Sequence, residues 1–195
     1  MADTVEKQPR VRRWKRVEYE RLIELGMFQP GERLELIDGL LVLREPQGSR
    51  HAATIRRALE ALRGALGPEW QLDSQLPIAL DDDSEPEPDV AVVPRDPRAY
   101  RDTHPTRPVL VVEVSDSSYR VDHQYKTSLY ARAGVPECWI IDLVHEAVEV
   151  HRDPEASADS PYGWRYRSVQ VLRPPATVSP LIVPDHAIPV ADLLP

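Results

Sequence analysis

The stretch "PVLVVEVS", residues 108–115, constrains this chain more than any other. Between Pro108 and Ser115 every residue except Glu113 is aliphatic. A strand with one wet face alternates apolar and polar residues, whereas a near-continuous run of this kind marks a central strand covered on both faces. Side chains alternate along a strand, so Val109, Val111, Glu113 and Ser115 share one face and Leu110, Val112 and Val114 the other. Glu113 is therefore anomalous. A carboxylate there is costly to bury unless it pairs with a cation or binds a metal ion, and the sequence leaves those two readings open.

The elements around this strand read as follows. Residues 1–12 are expected to form a flexible basic tail. "WKRVEYERLIEL" (14–25) predicts a short amphipathic helix with Val17, Leu22 and Leu25 on or near one face. In "RLELIDGLLVL" (33–43) two β-rich runs flank Asp38-Gly39, the preferred pair for a two-residue hairpin turn. "SRHAATIRRALEALRGAL" (49–66) predicts a helix, with Ser49 as N-cap, Ile55, Leu59, Leu62 and Leu66 at helical spacing, and Gly67-Pro68 as its stop. "WQLDSQLPIAL" (70–80) alternates like a half-exposed strand, and "PDVAVV" (88–93) is a strand entered through a proline. "VDHQYKTSLYARAG" (121–134) predicts a helix ending at Gly134. "ECWIIDL" (137–143) predicts a buried strand, with "AVEVHRD" (147–153) as its hairpin partner. Residues 13–195 are expected to form one domain whose C-terminal part, from about 154, is proline-rich with one or two weak strands near "WRYRSVQVL".

Composition excludes several classes. A formal charge of −8 and a pI near 5.3 argue against broad non-specific binding to nucleic acid, which usually needs a basic face. The N-terminal cations Arg10, Arg12, Arg13, Lys15 and Arg16 could reach DNA, although a solvated tail is the commoner case. With Cys138 as the one cysteine no intrachain disulfide can form, which fits a cytoplasmic location. No apolar run approaches the roughly 20 residues of a membrane helix. The zinc spacings, the P-loop, G-x-G-x-x-G and G-x-S-x-G are all missing.

The acidic stretch "DDDSEPEPDV" (81–90) raises the question of which of its six carboxylates could do chemistry. Asp89 leads into "VAVV" and is anchored by it. Asp81, Asp82, Asp83, Glu85 and Glu87 lack such an anchor and read as solvated loop residues. Glu35, in the first hairpin strand, reads by itself as an exposed charge. Asp122, Lys126 and Tyr130 follow at four-residue steps on one helix face, where an ordinary ion pair is the default. His51 opens the second helix and carries little weight alone.

Taken together, "LELIDGLLV", "PEPDVAVV", "PVLVVEVSDSS" and "DHQYKTSLYARAGVPECWIID" occur in the order found in the Uma family of restriction-endonuclease-like proteins, within the PD-(D/E)XK nuclease superfamily. The resemblance runs from about residue 15 to about 153. It implies an α/β, restriction-endonuclease-like fold: a mixed β-sheet of four or five strands flanked by α-helices, with a site at the ends of central strands. Asp89 matches the Asp of the PD element and Glu113 the following acid, which implies that these two hold a metal ion. Ser115 stands where the superfamily's lysine usually lies, and Lys126 on the next helix matches the residue that replaces it. Glu35 resembles the upstream acid, Asp122 and Tyr130 match further motif positions, and His51 matches a family position. The implied activity is Mg²⁺-dependent endonucleolytic hydrolysis of DNA, with Mn²⁺ as a substitute ion and a homodimer as a convenient way to cut two strands. An inactive nuclease-fold binding or regulatory module is the alternative, and a hydrolase of another phosphoester is a third reading.

Overall fold

The computed structural model describes residues 11–44, 46–96, 98–116 and 120–195, the side chains of 120–123 excepted. Helix α1 (Arg16–Glu24) leads into a hairpin of β1 (Leu34–Ile37) and β2 (Leu40–Leu43). Asp38 and Gly39 both take positive φ, 47° and 78°, as the tight turn between paired Ile37 and Leu40 requires. Next come α2 (Ser49–Ala65), β3 (Trp70–Asp73), β4 (Val90–Pro94), β5 (Leu110–Ser115), α3 (Arg120–Arg132), β6 (Glu137–Asp142), β7 (Ala147–Ala156) and β8 (Trp164–Leu172). Short strands β9 (Thr177–Val178) and β10 (Ile188–Pro189) pair with each other before the last turn of helix, α4 (Val190–Leu193).

The central sheet is mixed and runs β3-β4-β5-β6-β7-β8. Every neighbour is antiparallel except β5 and β6, which are parallel and joined by the crossover helix α3. β5 sits inside the sheet with all six residues buried, as its composition demands. Its alternation splits the core in two. Leu110, Val112 and Val114 pack with Ile55, Ala58 and Leu62 of α2 on one face, while Val111 packs with Ile140 and with Tyr130 and Ala131 of α3 on the other.

Some expectations change. The sheet has six strands because β8 pairs with β7 along nearly its whole length, from Leu172 opposite Val148 to Trp164 opposite Ala156. One face of β8 is wholly exposed and the other buries only Tyr166, so its strand signal is weak. Pro154 is tolerated in β7 because β6 ends its pairing at Arg152, which leaves that edge without a ladder partner. The strand predicted over 70–80 stops at Asp73, and Gln75 turns the chain with φ 54°. In α1 it is Tyr19 that is buried, its hydroxyl donating to the Leu34 carbonyl at 2.6 Å, while Val17 and Leu25 are exposed. The N-cap of α2 is Gly48 rather than Ser49. The proline-rich C-terminal part closes the α2-side core with Val178, Ile188, Val190 and Leu193, all buried. No helix among the described residues is long and apolar enough to cross a membrane.

Candidate functional site

Four elements meet at one end of β4 and β5. β4 enters the sheet through Pro88-Asp89, and its first pair is Val90 with Val112. One step further, Asp89 stands opposite Glu113 in register but has left the ladder. Its carboxylate takes the place of a strand carbonyl and accepts from the Val114 amide at 2.8 Å. The β1–β2 hairpin swings Glu35 and Arg44 over this point, α2 brings His51, and α3 brings Lys126 and Tyr130.

Glu113 is buried on the α3 side of β5. Its Oε1 accepts from the Lys126 ammonium at 3.1 Å and from the Tyr130 hydroxyl at 2.5 Å. The same ammonium lies 3.4 Å from Oε2 of Glu35. Glu35 is only 2% exposed and also accepts from the Glu87 amide. The structure therefore supplies a partner for the anomalous carboxylate of β5, and that partner serves two acids. Lysine and tyrosine, one helical turn apart on α3, point to one oxygen. The Asp122 side chain, one turn earlier, lies outside the described residues.

Asp89 is the most contacted acid. His51 Nε2, itself buried, lies 3.0 Å from its Oδ2. Gln47 and Gln75 donate to Oδ1 at 3.3 and 3.4 Å. Ser115 is buried on the Glu113 side of β5, and its carbonyl accepts from the Leu143 amide at 2.8 Å.

Arg44 joins the site without any sequence signal. Its Nε lies 3.1 Å from Glu35, Nη1 3.0 Å from Glu87 and Nη2 3.4 Å from Asp89. Nothing local marks it, since it merely follows the hairpin, and only the fold carries it across to β4. Glu87, expected as a solvated acid, is likewise drawn into the cluster. The rest of the acidic stretch is corrected too: Glu85 is 1% exposed, Asp81 pairs with Arg132, Asp83 pairs with Lys15, and Asp82 alone is exposed.

Protonation follows from these contacts. Burial would lower the pKa of Lys126, but Glu113 and Glu35 outweigh it and hold the ammonium charged. Burial raises Glu35, and Glu113 adds to the rise against the opposing pull of Lys126 and Arg44. Burial acts upward on Asp89 as well, but His51, the Val114 amide and Lys126 together bring it below the usual carboxylate range. Burial and the adjacent Glu113 keep Tyr130 a neutral phenol. Four carboxylates (Glu35, Glu87, Asp89, Glu113) are thus met by Arg44 and Lys126 and, at the rim, by Arg33, which lies 3.6 Å from Glu87.

A family model described as "Uma2: Putative restriction endonuclease" matches residues 16–191. No curated protein sequence matches. The crystal structure of a protein from Anabaena variabilis, described as "a putative nuclease", superposes with a TM-score of 0.66 at 18% identity, covering 87% of this chain and 94% of that one. At that identity the likeness establishes a shared fold.

Proposed function

The chain belongs to the Uma2 family, and from that premise we propose that it is a Mg²⁺-dependent endonuclease that hydrolyses phosphodiester bonds in DNA. The observation that carries this reading is the meeting of Glu35, Asp89, Glu113 and Lys126 at one strand end.

The residues suit a hard divalent ion. Their donors are carboxylate oxygens, the hard ligands such an ion prefers. Among the described residues no three His, Cys, Asp or Glu side chains stand close enough to form a complete metal cage. Mg²⁺ commonly takes one or two carboxylates and fills its shell with water and substrate phosphate. Asp89 and Glu113 would hold it, and Mn²⁺ could replace it. When bound, such an ion acidifies a coordinated water and polarises the phosphate.

The chain's own groups do the rest. A lysine held protonated cannot take a proton from water. Its work is to orient the water and to stabilise charge that builds on the phosphate, in a site where such interactions gain strength. Tyr130 fixes the second lone pair of Glu113 Oε1. Glu35 holds Lys126 from the other side, its Oε2 3.4 Å from the ammonium. Ser115 leaves the strand position beyond Glu113 without a cation, and Lys126 supplies one from α3 instead.

One observation favours a non-catalytic module: Arg44 already satisfies three of the carboxylates. Calorimetric titration with Mn²⁺ and Mg²⁺, of the wild type and of Asp89→Asn, separates the readings when combined with a plasmid-cleavage assay. The nuclease binds the ion, nicks DNA, and loses both in the variant. A wild type that takes up no ion, with or without DNA, is the binding module.

A further inference from the structure

We infer that the exposed face of α2 is the surface along which duplex DNA lies, a phosphate track leading away from the carboxylate site. The inference rests on the nuclease reading and adds to it the face that holds the substrate.

A protein with a charge of −8 must concentrate its free positive charge somewhere if it is to hold a polyanion. The described N-terminal cations do not offer it; Arg10 lies outside the described residues. Arg12 pairs with Glu18, Arg13 with Asp38, Lys15 with Asp83 and Arg16 with Glu20, so the described cations there are neutralised within the chain. Arg44 and Lys126 are spent on the site's own carboxylates.

α2 is different. Its buried side, Thr54, Ile55, Ala58 and Leu62, packs on the sheet. Its exposed side carries Arg50, Arg56, Arg57 and Arg63 against one acid, Glu60. Arg50 and Arg57 are seven residues apart, as are Arg56 and Arg63, so they form two rows, each advancing two turns along the helix. Among the described residues Arg56, Arg57 and Arg63 make no ion pair, and Arg50 makes one long contact, 3.5 Å, to the Leu143 carbonyl. The rows reach from Arg50 to Arg63, about 20 Å at the helical rise, which matches about six phosphate steps along one strand of a duplex. The track begins at the site itself, because Arg50 adjoins His51, whose ring lies against Asp89.

The chemistry favours phosphate over a lipid surface. An interfacial helix must present apolar residues to the membrane, and the exposed residues of α2 are Ser49, Gly64 and charges. No base-reading group stands out among them, so the track contributes affinity and orientation, as phosphate contacts do.

The test is fluorescence anisotropy with a labelled 20-base-pair duplex in EDTA, across a salt series. It compares the wild type, the triple variant Arg56→Gln/Arg57→Gln/Arg63→Gln, and Glu60→Gln. The log affinity against log salt slope is expected to fall by about one for each arginine lost, while Glu60→Gln binds more tightly. Mn²⁺ binding and cleavage of a small p-nitrophenyl phosphodiester stay at wild-type levels in all three. A triple variant with the wild-type slope overturns the track and leaves the nuclease reading intact. A wild type that binds neither duplex nor Mn²⁺ overturns both. Wild-type binding to phosphatidylserine vesicles that disappears in the triple variant, with duplex binding unchanged, reassigns the face to lipid.

Discussion

At the scale of single residues, the site turns on how a buried carboxylate is kept ionised. Glu113 receives a lysine and a tyrosine from one helix face, and the lysine is shared with Glu35. Lys126→Gln keeps a shorter neutral donor and removes the charge. Cleavage by this variant is expected to fall about 10²- to 10³-fold, the usual cost of losing one transition-state donor. Metal affinity should hold or rise, since a cation competing for the same carboxylates is gone. Single-turnover cleavage and Mn²⁺ calorimetry on one preparation check both halves, and an unchanged rate would reduce Lys126 to a structural ion pair. The fourfold spacing of Lys126 and Tyr130 was legible, because helical geometry alone puts them on one face. Arg44 was not, because two of its three partners, Glu87 and Asp89, lie 43 and 45 residues away.

At the scale of elements, the acidic stretch acts as a strap between the hairpin and the sheet. The Glu85 amide donates to the Leu36 carbonyl at 2.7 Å, and Arg132 of α3 ties Asp38 of the hairpin turn to Asp81 of the strap. Glu85 is the strained member. Its Oε2 is buried without a partner among the described residues, and burial, then the nearby Glu20, push its pKa up to about 7. A folded pKa above the unfolded value of about 4.3 means that Glu85 contributes fully below that value. The contribution is lost as pH rises toward 7. Glu85→Gln should therefore unfold at higher urea than the wild type at pH 8, with the gap closing near pH 4.5. Equal midpoints at pH 8 would show that the carboxyl is already solvated. Local composition could not reveal this, because solvated and docked acidic loops share the same sequence character until a partner surface closes on them.

At the scale of the whole molecule, the C-terminal part decides whether the sheet has a finished core. Val178, Ile188, Val190 and Leu193 fill the α2 face beside Leu62 and Trp139. Each fully buried aliphatic side chain contributes about 1.5–3 kcal/mol, and small domains are stable by only about 5–15 kcal/mol. A chain ending at Arg173 should lose most of its stability and expose an apolar face. Expression yield and circular dichroism of that truncation test this. A soluble, cooperatively melting product would show that the segment is dispensable.

Local signals were enough for the buried strand at 110–115, the Asp38-Gly39 hairpin, α2 with its apolar face, the helix α3, and the β6–β7 hairpin. Periods of two and of 3.6 residues, and the positive φ of a tight turn, are fixed over a few residues, so they can be read directly. The closed fold alone chose the partners: Arg44 among Glu35, Glu87 and Asp89, the burial of Glu85, the long pairing of β8, and an α2 surface left unpaired while the described N-terminal cations pair within the chain. Ion pairs and edge pairing depend on which distant segments the closed sheet brings within a few ångströms, and no short window of sequence encodes that distance.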